Sequence, residues 1–197
     1  MVAEAMSAKI APTPVSIESH RAELEQIGRM RGLIERHWRT NRVPVGDDTT
    51  VLIKDLAQQT GAEVVTVPSG AECLTWVIPP KWSVKEAWCA GPDGRMIANY
   101  SENPLYLRSL SAPFSGIVDR EELLQHLKSD PSRPDRVTYD YRSQYAITAR
   151  SEWGFSLPHR VVAELPRGSY EVNIDVEFSN GEMQVLGDDR ALHLLRE

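Results

Sequence analysis

The 197-residue chain reads as an α+β protein, with helices leading and a β-rich body following. Three patterns carry this reading. Apolar residues recur at helical spacing from Leu24 to Trp38, turn residues punctuate short β-branched runs between residues 63 and 110, and strict apolar-polar alternation runs from Glu171 to Phe178.

Residues 1–16, with Pro12-Thr13-Pro14, have little to bury and suit a loose leader. From Ser19 the pattern changes. Leu24, Ile27, Met30, Ile34 and Trp38 alternate with Arg21, Glu25, Arg29 and Glu35, which predicts an amphipathic helix with one buried stripe, ended by Asn41 to Pro44. Asp47 or Asp48 is placed to cap a second helix, because a carboxylate there accepts the unpaired first-turn amides. Leu52, Ile53 and Leu56 give that helix its inner face, and Thr60-Gly61 stops it.

Glu63 to Val67 is a short β-branched run closed by Pro68-Ser69-Gly70. Cys73–Ile78, Val84–Cys89, Met96–Tyr100 and Leu105–Leu110 continue as strands, with a turn at Gly91-Pro92-Asp93-Gly94. One helix interrupts them: Asp119 and Glu122 have capping-box spacing ahead of Leu123, Leu124 and Leu127. Residues 130–136 read as a loop, and Pro158 opens a short helical stretch carrying Val161, Val162 and Leu165. Val172, Ile174, Val176 and Phe178 then form one dry face against Glu171, Asn173, Asp175 and Glu177. Asn180-Gly181 suits a type I′ turn, so Met183 and Val185 are expected to return as the second strand of a hairpin.

Lys and Arg number 22 against 28 Asp and Glu, a formal net charge of −6, and no basic stripe appears. Nucleic-acid binding is excluded on that ground, since phosphate-backbone affinity comes from clustered cations. No window is apolar enough to span a bilayer, and the N-terminus lacks a signal-like apolar core. Cys73 and Cys89 form no CxxC pair and sit among apolar neighbours, which suits buried thiols in a reducing compartment, hence a cytoplasmic protein.

The chemistry-bearing residues are sparse. His20, His37, His126, His159 and His193 share no short motif, HExxH is absent, and no metal or cofactor is assigned. GxSxG, a Walker loop and GxGxxG are also absent. One cluster reads as a site. Tyr141, Arg142, Tyr145, Arg150, Glu152 and Trp153 could line a polar cleft with aromatic walls, with His159 as acid or base because its ordinary pKa lies near neutrality. The competing reading places Trp153 and Phe155 in the core with the charges at its rim.

Several separate stretches occur in a telling order. Val67-Pro68-Ser69-Gly70-Ala71-Glu72-Cys73-Leu74-Thr75-Trp76, Ile78-Pro79-Pro80-Lys81-Trp82 and Glu86-Ala87-Trp88 come first. Asn103-Pro104-Leu105, Ser109 to Pro113, Arg120 to Leu123 with His126-Leu127, Pro134-Asp135, Trp153-Gly154-Phe155 with His159, and Leu165-Pro166 follow. Over residues 30–187 the chain resembles the N-terminal part of the bacterial aminopeptidase-like proteins found in polysaccharide and secondary-metabolite gene clusters.

That resemblance implies a zinc-aminopeptidase-like fold carrying a β-rich inserted domain, with a winged helix at the far end of full-length members. It implies a leader at 1–18, helices and a first strand of a partial peptidase-like domain at 19–72, an insert at 73–178, and a return strand with a tail at 179–197. Strands near Val64 and Val185 would share the peptidase-like sheet. In the family the zinc-binding half follows the strand ending near Gly187, opening with a His-x-Cys-His-Pro-like stretch that Asp188 to His193 do not reproduce. The expectation is therefore a truncated or stand-alone form without the zinc centre. It would be a non-catalytic binding or accessory module for a small amino-acid or peptide-like ligand in a biosynthetic pathway. Its unfinished sheet edge would support a homodimer or a separately encoded partner subunit. The alternative is an enzyme with non-metal acid/base chemistry centred on His159 and the neighbouring Arg and Tyr residues.

Overall fold

Helix α1 (Ile17–His37) forms where the helical apolar spacing begins, and Arg36 and His37 in its last turn complement its dipole. The computed structural model describes residues 17–73, 76–139 and 152–187. The stripe expected to be buried is open: Leu24, Ile27, Met30, Ile34 and Trp38 are 56–63% exposed. Two compact units are formed, Met1–Trp38 and Arg39–Glu197. Among the described residues of the first unit α1 stands alone, with no second layer of its own on which to bury a face, so the amphipathic pattern makes the helix without covering it.

In the second unit, helix α2 (Asp47–Thr60) begins after Gly46, which offers no side chain as a cap. Asp47 and Asp48 occupy the first turn instead of the cap position, and both carboxylates are used elsewhere. Asp47 pairs with Lys81 at 2.7 Å, and Asp48 accepts the Asn41 amide at 2.8 Å. Gly61 ends the helix in the left-handed region at φ 73°, donating to the Ala57 carbonyl. The helix packs on a two-stranded antiparallel sheet made of β1 (Glu63–Pro68) and β10 (Glu182–Gly187), paired from Glu63 with Gly187 to Pro68 with Glu182.

That pairing overturns the expected hairpin. Strand β9 (Ser169–Ser179) has the alternation read from the sequence, with Tyr170, Val172, Ile174 and Val176 buried. Its partners, however, are β4 (Lys81–Ala90) along one edge and β6 (Phe114–Asp119) along the other from Ser169 to Ile174. Strand β5 (Met96–Asn99) adds outside β4, giving the order β5-β4-β9-β6. At Asn180-Gly181 the chain crosses to β1: the Gly181 carbonyl accepts from the Ser69 amide at 2.8 Å, and the Gly181 amide donates to the Ser69 hydroxyl at 3.2 Å. A Cβ at Gly181 would lie 2.6 Å from the Lys81 Cβ, so this glycine answers a close approach rather than a type I′ turn. A turn preference is local and small, whereas pairing with β1 supplies six residues of ladder.

Two further expectations are corrected. Cys73–Ile78 is not one strand: β2 (Glu72–Cys73) and β3 (Trp76–Val77) pair as a short antiparallel ribbon. Leu105–Leu110 is not a strand either. Pro104–Tyr106 is a 3₁₀ turn, started by a proline that needs no amide partner and by Asn103, whose side chain accepts the Leu105 amide at 3.1 Å. Strand β6 goes unread in the sequence because Gly116 breaks its pattern and only Val118 is buried. Helix α3 (Arg120–Gln125) has the Asp119 cap as expected, accepting from Glu122 at 2.8 Å.

The core lies on one face of the four-stranded sheet. Tyr170, Val172 and Ile174 of β9 and Trp82 and Cys89 of β4 meet Leu107, Leu123, Trp153, Phe155, Leu157 and Leu165. Strand β7 (Leu127–Lys128) pairs in parallel with β8 (Phe155–Ser156), and helix α4 (His159–Ala163) follows. The Tyr170 hydroxyl donates to the Pro166 carbonyl at 2.6 Å, giving that buried ring its polar partner. No helix of the described residues is long and apolar enough to cross a membrane.

Candidate functional site

Of the residues the sequence singles out, Tyr141, Arg142, Tyr145 and Arg150 lie outside the described residues. Trp153 is 6% exposed and stacks between Phe114, at 4.3 Å between ring centres, and His126, at 3.8 Å. Its carbonyl lies 2.9 Å from His126 Nδ1. Trp153 therefore takes the core role that competed with its site role. Glu152 is exposed, 3.9 Å from Arg108. His159 is half-buried at the start of α4, with Nδ1 3.0 Å from the Ser129 hydroxyl.

The structure places a different cavity nearby, of about 310 Å³. One wall is the segment Thr40–Arg42; the other runs from Pro104 to Ser109, and Tyr139 and Ser156 complete the lining. Neither Trp153 nor His159 lines it.

Both walls are pinned. The Asn41 amide is held by Asp48, and the Val43 carbonyl accepts the Thr49 hydroxyl at 2.6 Å while the Val43 side chain is buried in the core. On the other side Leu107 bridges Phe155, and the Arg108 amide donates to the Gly154 carbonyl at 3.0 Å. The Ser111 amide and hydroxyl both donate to the Arg108 carbonyl, at 3.2 and 2.7 Å, closing a turn whose third residue, Leu110, sits at φ 61°. A leucine in that region stores on the order of 1–2 kcal/mol of strain, which the surrounding hydrogen bonds hold. The Ser111 carbonyl in turn accepts the buried Trp82 indole at 3.1 Å.

Among the described residues the lining includes two arginines, Arg42 and Arg108, and no Asp or Glu. Arg42 is exposed and its side chain makes no hydrogen bond or ion pair among the described residues. Arg108 has its side chain 20% exposed. Ser156 is 1% exposed, and its hydroxyl has no hydrogen-bond partner among the described residues. Leu105 and Leu107 supply an apolar stretch of wall. Such a lining can hold a small molecule with one negative end and one apolar part.

Other chemistry finds less support. Cys89 is fully buried, and burial pushes its thiol up to about 12, which removes it as a nucleophile near neutrality. Among the described residues no three His, Cys, Asp or Glu side chains group as a metal site, so these residues do not fit a zinc centre with its three or four protein ligands. The sequence reading misses Arg42 and Arg108. The signal available for Arg108 was its place in a Ser/Pro-rich stretch, obscured by treating Leu105–Leu110 as a strand.

Comparison with known proteins gives these features a setting. Residues 81–177 match the model of a family described as a domain of unknown function (DUF2172). The chain is 28% identical over 156 residues to a Clostridium acetobutylicum protein described as a candidate polysaccharide biosynthesis protein with an aminopeptidase-like domain, covering 79% of this chain and 35% of the relative. A crystal structure of a candidate peptidase from Clostridium acetobutylicum superposes with a TM-score of 0.72 at 26% identity, covering 85% of this chain and 38% of that one. The chain thus has an α+β fold shared with an aminopeptidase-like, peptidase-like group, and it spans a little over a third of the length of the relatives it matches.

Proposed function

We propose that this chain is a non-catalytic recognition module of an aminopeptidase-like protein, binding a small amino-acid or peptide-like ligand in the Arg42–Arg108 cleft. The observation that carries the reading is the cleft itself. Its two walls are fixed by backbone hydrogen bonds on either side, and its volume of about 310 Å³ lies at the lower end of small-ligand sites, about 300–1,000 Å³. A cavity of that size suits an amino acid or dipeptide better than a sugar nucleotide. The likeness to a protein described for polysaccharide biosynthesis supports a place in a biosynthetic pathway. The free, fully buried Cys89 fits a reducing compartment such as the cytoplasm. Among the described residues the β1–β10 sheet has two strands, which suits strand addition by a second copy of the chain or by a separately encoded partner.

The test is a titration of isotope-labelled protein with amino acids and dipeptides, read by amide chemical shifts. Shifts clustering at Asn41, Leu105, Ser109 and Ser156 are the expected result, and an absence of shifts in the cleft at millimolar ligand overturns the reading. A second reading, acid/base catalysis by His159, is favoured by the Ser129–His159 contact at 3.0 Å. Loss of an identified turnover in a folded His159→Ala variant supports it, and unchanged turnover ends it.

A further inference from the structure

We propose that the cleft is an anion site: Arg42 and Arg108 hold the carboxylate of an amino acid or of a short peptide's last residue, whose apolar side chain lies along Leu105 and Leu107. This inference rests on the recognition reading above and specifies which end of the ligand is held.

Three observations converge on it. The first is charge placement. The chain as a whole carries −6, yet the described residues that line this cavity include two arginines and no Asp or Glu. Arg108 has Glu152 at 3.9 Å beside it, so the charge that an entering anion newly compensates is chiefly that of Arg42. Arg42 has no competing partner among the described residues, so its guanidinium is available for the paired hydrogen bonds that a planar carboxylate accepts.

The second observation is Ser156. Its residue is buried, it lines the cleft, and its hydroxyl makes no hydrogen bond among the described residues. A hydroxyl at the cleft wall with no protein acceptor can donate to a carboxylate oxygen. The third is the fixed geometry of the Arg108–Ser111 turn. Its left-handed Leu110 and its bonds to Gly154 and Trp82 hold the Arg108 backbone in place before any ligand arrives. Pre-organisation of that kind lowers the entropic cost of binding a small ligand.

The apolar wall narrows the ligand class. Leu107 is 4% exposed and Leu105 38% exposed, so the floor beside the arginines is hydrocarbon. A bare inorganic anion gains nothing from it, whereas an aliphatic or aromatic side chain attached to the carboxylate does.

The probes are N-acetyl-leucine, N-acetyl-leucinamide and inorganic phosphate, titrated into the labelled chain at neutral pH. The acid is expected to shift the amides of Arg108, Ser109 and Ser156 and to bind at least tenfold more tightly than the neutral amide, an advantage that shrinks as salt is raised. Replacing the exposed Arg42 (Arg42→Gln) should weaken the acid about tenfold while leaving the amide's affinity and the melting temperature unchanged. Arg108→Gln serves only as a second variant, because its stem packs against Gly154 and the substitution can disturb folding.

Equal binding of acid and amide within the cleft overturns the anion site and leaves the recognition module standing. Phosphate binding as tightly as the acid overturns the amino-acid class. No cleft shift with any probe at millimolar concentration overturns both the anchor and the module.

Discussion

Arg108 runs directly over Gly154: its amide donates to the Gly154 carbonyl at 3.0 Å, and its side-chain Cδ lies 2.8 Å from where a Gly154 Cβ would project. The same hypothetical Cβ would also press into the His126 carbonyl. Gly154 is thus the residue that lets the cleft wall approach β8. Gly154→Ala should cost about 2–3 kcal/mol, a drop in melting temperature of about 4–12 °C, and should displace the Arg108 amide resonance. Gly116→Ala, whose Cβ would meet only the Phe114 ring at 3.4 Å, should stay within about 1 kcal/mol. A Gly154→Ala variant as stable as the parent would refute the close approach.

Trp153 separates a core role from a site role. Stacked between Phe114 and His126 and 6% exposed, it should cost about 3–5 kcal/mol when replaced by alanine, measured by denaturant unfolding. A Trp153→Ala protein with native stability but altered ligand affinity would return this residue to the site.

Burial of Cys89 links stability to alkaline pH. Its thiol is raised from an ordinary 9.0 to about 12, so below pH 9 it is protonated whether the chain is folded or not. Between pH 9 and 12 the unfolded chain releases that proton and the folded one keeps it, so stability falls as pH rises, by about 1.4 kcal/mol per pH unit from this group. Tyr100 and Tyr170, both raised chiefly by burial, act in the same direction above their ordinary 10.0. Cys89→Ala should flatten the decline measured between pH 9 and 10.5. In a Cys73→Ser background, Cys89 should resist a thiol reagent until the protein is unfolded, and rapid labelling of the native state would contradict its burial.

The β1–β10 pairing can be read directly. Thr66 and Gln184 are opposite one another. Cysteines introduced at both positions, with Cys73→Ser, should cross-link on mild oxidation. The pair Phe178→Cys with Met183→Cys, which a hairpin through Asn180-Gly181 would bring together, should not. The reverse pattern would restore the hairpin.

Much of the secondary structure was legible along the chain. The inner face of β9, the Asp119 cap of α3, the Gly61 stop of α2 and the helical period of α1 are local matters. Each depends on residues within a turn or two, where side-chain periodicity and backbone preference act without help from afar. The site was less legible. Trp153 and His159 were visible as chemistry-bearing residues, but an aromatic beside charged neighbours looks alike whether it lines a cleft or plugs a core, and here it plugs the core. Arg42 and Arg108 were passed over because 65 residues of chain separate two residues that line one cavity.

What the amino-acid order alone determined is therefore the class of fold, the identity of most elements and which face of each is apolar. What only the tertiary structure decided is partnership. β9 takes β4 and β6 as its neighbours instead of the strand that follows it, the β1–β10 pairing that the family resemblance implied displaces the locally read hairpin, and Arg42 and Arg108 line one cavity. The reason is that a strand's pattern says which side must be covered but not by what. That choice falls to whichever arrangement satisfies the most hydrogen bonds and buries the most apolar surface at once, a property of the whole chain rather than of any segment.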